Sequence, residues 1–325
     1  MTTGSEKLSD KINSPAVTKS GALPHIALIA VQLMFGTWPI VGKAALRSLP
    51  STTLATLRVV GAAAALSLLQ GRFGELRRLP RRDLAMLVLC SLLGIALNQL
   101  LFIKGLSLTT VINATVIGTT IPVFTLAVSI VLGYDRVSLR RIVGILLAAG
   151  GVVYLINPIR ADFSAQTNTG NLLIVCNSLL YGTYIAISKD IFKRYGALKV
   201  ITWLFIIGSI VTLPFGLYSL KGQQLQAVGA EVWLAVVYII LVPTVAAYYL
   251  NAWALTRVAP STVATYVYLQ PLIAFGLAPL ILGERLSSRV LIAAILIFTG
   301  VGVVIKRRRS QASKEVTERP DALAH

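Results

Sequence analysis

Apolar residues run along the chain in long blocks, separated by short links rich in Arg, Lys, Gly and Pro. A helix needs about 20 mostly apolar residues to cross a bilayer. Windows of that length predict ten membrane helices, over 26–46, 51–70, 84–104, 109–132, 139–157, 170–188, 200–219, 231–255, 261–282 and 289–305. Polar tails flank them at 1–24 and 306–325.

The blocks repeat. FGTWPIVGK at 35–43, in the first predicted helix, returns as YGTYIAISK at 181–189, in the sixth. Setting Pro122 against Pro271, 149 residues on, carries GYDRVS (133–138) onto LGERLS (282–287) and Gly151-Val152 onto Gly300-Val301. Two units follow, 25–157 and 168–305, of five helices each. Five is odd, so each unit enters and leaves on opposite faces and the second must insert upside down. The expected fold is therefore an all-α membrane protein whose ten transmembrane helices form two inverted five-helix repeats. Such repeats place a shared solute path between them, near the bilayer midplane.

Composition agrees. Of 325 residues 56% are hydrophobic and 13% charged, with mean hydropathy +0.78, against about 25% charged in soluble domains. The net charge of +18 invites a nucleic-acid reading, but its distribution does not. With the N-terminus inside, 22 of the 30 Lys and Arg fall in inner segments, seven in outer ones and Arg58 within a span. That asymmetry predicts both termini in the cytoplasm and a multi-pass protein of the inner (cytoplasmic) membrane. The expected partners are the lipid bilayer and a small-molecule solute, with no nucleic acid. Oligomeric state is not legible. Cys90 and Cys176 both lie in apolar segments and read as small buried hydrophobes rather than metal ligands. No metal and no cofactor is expected.

All twelve acidic residues fall in tails, loops or helix ends, and His25 and His325 are peripheral. A proton-driven cation exporter would hold a carboxylate at depth, and an intramembrane protease would need a buried Ser/His pair, paired aspartates or a metal site. Neither pattern exists, nor does a GxxxxGK[ST] loop for ATP. No enzyme is predicted. What lies at depth is polar, aromatic or cationic, concentrated on the first, third, fourth, sixth, eighth and ninth helices. The candidate substrate-binding residues are Trp38, Asn98, Gln99, Asn113, Thr119, Asn177, Tyr181, Tyr248, Tyr266 and Gln270. Helix–helix hydrogen bonding is the alternative role for each amide. Arg58, about 10 Å deep at 1.5 Å per residue, either pairs with a carbonyl, water or substrate anion or snorkels to the surface. Lys43 and Lys104 read as interfacial. Pro122 and Pro271, repeat-related, are candidate paired hinges. Hydroxyls, amides and rings without a carboxylate suit a neutral, zwitterionic or anionic solute, and amino acids fit.

These features resemble the drug/metabolite transporter superfamily, specifically proteins with two EamA repeats. The resemblance rests on Pro271 followed by LGERLS and Gly300-Val301, on LNQLLFIKGLSLTT at 97–110, and on Arg58 in TLRVVGAAAAL. It spans nearly all of 25–305; Asp135 stands where such a repeat usually has Glu. It implies a transporter, and with the inverted repeat and the chemistry at depth the expected function is a secondary transporter exporting amino acids or related small metabolites by alternating access. The alternatives are a drug or toxic-compound exporter and an exchanger of anionic or phosphorylated metabolites.

Overall fold

The computed structural model describes residues 22–71, 79–133, 138–156, 166–221, 228–255, 257–258, 263, 266–267 and 269–305. Asp135, Tyr268 and both tails lie outside them. Among the described residues ten long helical stretches appear: α1 (Ala22–Ala45), α2 (Ser51–Gln70), α3 (Arg81–Leu108), α4 (Val111–Val131), α5 (Leu139–Ile156), α6 (Gln166–Tyr195), α7 (Ala197–Ser219), α8 (Ala230–Leu255), α9 (Leu269–Leu282) and α10 (Ser288–Ile305). Seven are long and apolar enough to cross a membrane, and the apolar stretches of α5, α9 and α10 are shorter. Leu68, Val131, Leu139, Ile210, Leu234 and Leu280 stand exposed around the bundle, as a lipid-facing surface requires.

Some boundaries move. α6 runs well past the predicted 170–188, because Asp190, Lys193 and Arg194 end its apolar window without ending its hydrogen bonds. It stops at Gly196, whose positive φ of 86° turns the chain straight into α7; a residue with a Cβ would be strained there. The continuous part of α9 starts at Leu269, not 261, and 261–268 is described only in part.

Three helices are not uniform. α3 and α8 each contain a π-helical segment, Leu92–Ala96 and Leu241–Ala246. The two segments start at positions related by the repeat spacing, although one carries Gly94 and the other Pro243 where the copies align. α4 breaks at Thr119–Thr120 between Val111–Gly118 and Ile121–Val131. Pro122 explains the break: it lacks an N–H, and its ring would strike the carbonyl four residues back, where the first piece ends.

The packing is reciprocal. A Cβ on Gly151 of α5 would press on Ile297 and the Ala293 carbonyl of α10, and one on Gly300 of α10 would press on Ala148 and the Gly144 carbonyl of α5. Gly36 of α1 lies against Ile273 of α9, and its counterpart Gly182 of α6 against Phe124 of α4. Gly61 of α2 faces Ile240 of α8, while Gly208 of α7 faces Ile95 and Ser91 of α3. Contacts that hold when the copies are exchanged are the mark of a two-fold relation. The doubled sequence is thus a doubled structure, with its axis running between the halves.

Candidate functional site

At the middle of the bundle that axis passes beside a hydrogen bond. Gln99 of α3 donates from Nε2 to the Tyr248 hydroxyl of α8 at 3.0 Å, and these two residues are 149 apart, at equivalent positions of the repeats. Gln99 also accepts from Arg58: Nη1 donates to Oε1 at 2.7 Å. The other guanidinium nitrogens reach α8, Nε donating to Thr244 Oγ1 at 2.6 Å and Nη2 to the Pro243 carbonyl at 3.3 Å. The Trp38 indole of α1 covers the guanidinium, 4.0 Å from its carbon to the ring centre.

Arg58 is only 2% exposed. It does not snorkel; the protein supplies its partners. On insertion scales a cation at this depth costs about 3 kcal/mol, which the three hydrogen bonds and a desolvated cation–π contact of about 2 kcal/mol offset. The π-helical segment of α8 serves the same group: the Thr244 hydroxyl donates onward to the Ile239 carbonyl at 2.7 Å, five residues back, leaving its oxygen turned to Arg58. Aromatic rings wall the network. Phe35 and Phe205 meet Tyr248 edge-on at 5.7 and 5.3 Å, Phe102 lies 6.1 Å from Trp38, and Tyr181 pairs with Tyr184 at 5.5 Å.

The predicted residues divide by depth. Trp38, Gln99 and Tyr248 converge on Arg58, and Tyr181 packs in the same apolar cluster as Tyr248. Thr244 and the Pro243 carbonyl join them unpredicted. A threonine beside an in-span proline, at a repeat position, was the available signal. Asn177 instead donates to the Asn98 backbone carbonyl at 2.8 Å, linking α6 to α3. Asn113 donates to Thr109, which donates in turn to Asn171 at 2.5 Å. Thr119 donates to Val116 within its own helix. These three make packing bonds in the structure. Gln270, at the start of α9, donates to Gln32 near the middle of α1 at 2.7 Å, and Tyr266, ahead of α9, bonds His25 at the start of α1 at 2.8 Å.

Each end of the bundle has its own polar closure. At one, Lys43 was expected at the interface but is turned inward against the end of α3, donating to the carbonyls of Leu106 (2.7 Å) and Thr109 (2.5 Å). The last carbonyls of a helix lack partners and attract a cation, which is why it turns. Beside it Glu284 accepts from the first N–H groups of α4, Val111 at 2.7 Å and Ile112 at 3.0 Å, and Thr110 caps Asn113 N–H. Both groups line a hollow of about 370 Å³. At the other end Arg194 donates to both Asp83 oxygens at 2.6 Å and Tyr195 to one of them at 2.6 Å, joining α3's start to α6's end. Among the described residues no group of three His, Cys, Asp or Glu could hold a metal.

Comparison with known proteins places this geometry. The model of the EamA-like transporter family matches twice, over residues 22–157 and 168–306. The chain is 24% identical to the uncharacterized transporter YetK of Bacillus subtilis, over 94% of this chain and 96% of that one. It is 26% identical to a protein of Streptantibioticus cattleyicolor named a probable terminal-alkyne amino-acid exporter, over 80% of this chain and 86% of that one. One solved crystal structure superposes with a TM-score of 0.61 at 19% identity, over 86% of this chain and 96% of the other, and so shares the fold.

Proposed function

The chain belongs to the EamA-like transporter family, and from that premise we infer that it is a secondary transporter exporting amino acids or related small metabolites by alternating access. The observation that carries this is the Arg58–Gln99–Tyr248 network, polar, ring-walled and set at mid-depth where the two repeats meet. Two polar closures flank it, one per end, as a path opened alternately from either side needs. The relative named as an amino-acid exporter supports the substrate class. The Lys/Arg asymmetry supports cytoplasmic termini in an inner membrane. Trp38, Gln99, Tyr181 and Tyr248 face the solute in this reading, and Pro122 and Pro271 act as paired hinges.

The test is uptake and exchange of a pool of labelled amino acids by the purified chain in liposomes, with and without a pH gradient. Saturable movement of some members, insensitive to the gradient, is the expected result. No movement of any member sinks the substrate class. Pro122→Ala and Pro271→Ala should each slow transport about tenfold at similar substrate affinity; normal rates in both would remove the hinge role.

A further inference from the structure

Arg58 is a buried cation whose described partners are all uncharged: an amide oxygen, a hydroxyl, a backbone carbonyl and an indole face. The ion pair recorded among the described residues, Arg194 with Asp83, lies at the end of the bundle and not here. A buried charge is ordinarily matched by an opposite one. Arginine carries five N–H donors in a rigid fork, and the three hydrogen bonds use one on each nitrogen. Two of the accepting side chains also donate elsewhere. Gln99 keeps Tyr248, and Thr244 keeps the Ile239 carbonyl. Thr244 can release the guanidinium with its hydroxyl still donating, and Gln99 can release it with its amide nitrogen still donating to Tyr248, its Oε1 then turning to the incoming solute.

We propose that Arg58 is the docking group for a carboxylate on the transported solute. The carboxylate takes the free N–H donors and displaces Gln99 Oε1. Trp38 holds the guanidinium plane, and the solute's apolar part lies among Phe35, Phe205 and Tyr248. Charge-assisted pairs of this kind are about twice as strong as the neutral bonds they replace. A phosphate dianion fits less well, since it brings two charges to one cation in a low-dielectric site. An ammonium on the solute is not required, because no described carboxylate stands by to receive it. The required feature is the acid.

This assignment rests on the transport reading, and one experiment separates their failures. Wild-type protein in liposomes takes up the labelled amino-acid pool in competition with L-phenylalanine, L-phenylalaninamide, 3-phenylpropanoate, phenethylamine and phenyl phosphate. A matching leucine series guards against a side-chain misfit. Both acids, with or without the ammonium, should compete more than about tenfold better than the amide and the amine, and should change tryptophan fluorescence in the wild type but not in Trp38→Phe. Arg58→Lys should retain a weakened preference for the acids, and Arg58→Met should show none. Uptake of the pool with amide and acid competing equally would overturn the carboxylate site and leave the transport reading standing. Phenyl phosphate ahead of the acids would overturn it in favour of a phosphoryl ligand. Absence of any uptake overturns both. Because wild-type selectivity decides, a variant that fails to fold does not protect the proposal.

Discussion

At the scale of single residues, two amides that look alike in the sequence sit in different settings. Gln99 bridges Arg58 and Tyr248, so Gln99→Leu strips a buried cation and a buried hydroxyl of partners at once. The expected cost is about 2–3 kcal/mol of stability, with transport falling to near background. Asn177 makes one interhelical bond to a backbone carbonyl, and Asn177→Ala should cost about 0.6 kcal/mol, the average for such bonds in a membrane bundle. Thermal melting in detergent together with liposome uptake checks both; equal effects would show that Gln99 has no special place. The sequence could nominate these residues, since polar groups at depth stand out in apolar runs. It could not rank them, because rank depends on partners some 40 to 190 residues away. Arg58 shows the difficulty: its depth was countable, but whether it snorkelled hung on Thr244 and Pro243, in the other half of the chain.

At the scale of helices, α5 shows how sharply packing selects between neighbours. Gly150 has nothing within 4 Å of a would-be Cβ, while Gly151 lies against the backbone of α10. Gly150→Ala should therefore be neutral or stabilise by up to about 1 kcal/mol through helix propensity. Gly151→Ala should force α5 and α10 apart and lower the melting temperature by several degrees. A stabilised Gly151→Ala would contradict the reciprocal packing. The helices themselves were largely legible, because a membrane leaves a long apolar run little else to become. Their interruptions were not. Proline marked the α4 break and one π-helical segment, yet α3 reaches the matching geometry at Gly94 with no proline, so no local signal existed there.

At the scale of the molecule, the two ends are held by different chemistry. The Asp83–Arg194–Tyr195 closure depends on a carboxylate, whereas the Lys43 closure depends on helix carbonyls. Asp83→Asn should loosen only its own end. Hydrogen exchange should quicken in the first turn of α3 and the last turn of α6, with residues 106–112 unchanged; faster exchange at both ends would mean that the closures are not independent. The division into two inverted units was visible in the sequence because duplication left FGTWPIVGK and YGTYIAISK behind. The reciprocity of the contacts was not, since a repeat in sequence does not say which copies touch.

That reciprocity gives the Gln99–Tyr248 bond an unusual status. In an inverted-repeat transporter the halves trade conformations between the two access states, so most contacts become their mirror counterparts. Exchanging the repeats, however, sends position 99 to 248 and 248 to 99, returning this bond to itself. It is a fixed point of the exchange, and in the proposed alternating-access cycle it is the expected pivot of both states. The flanking closures, which map elsewhere, are the parts free to break.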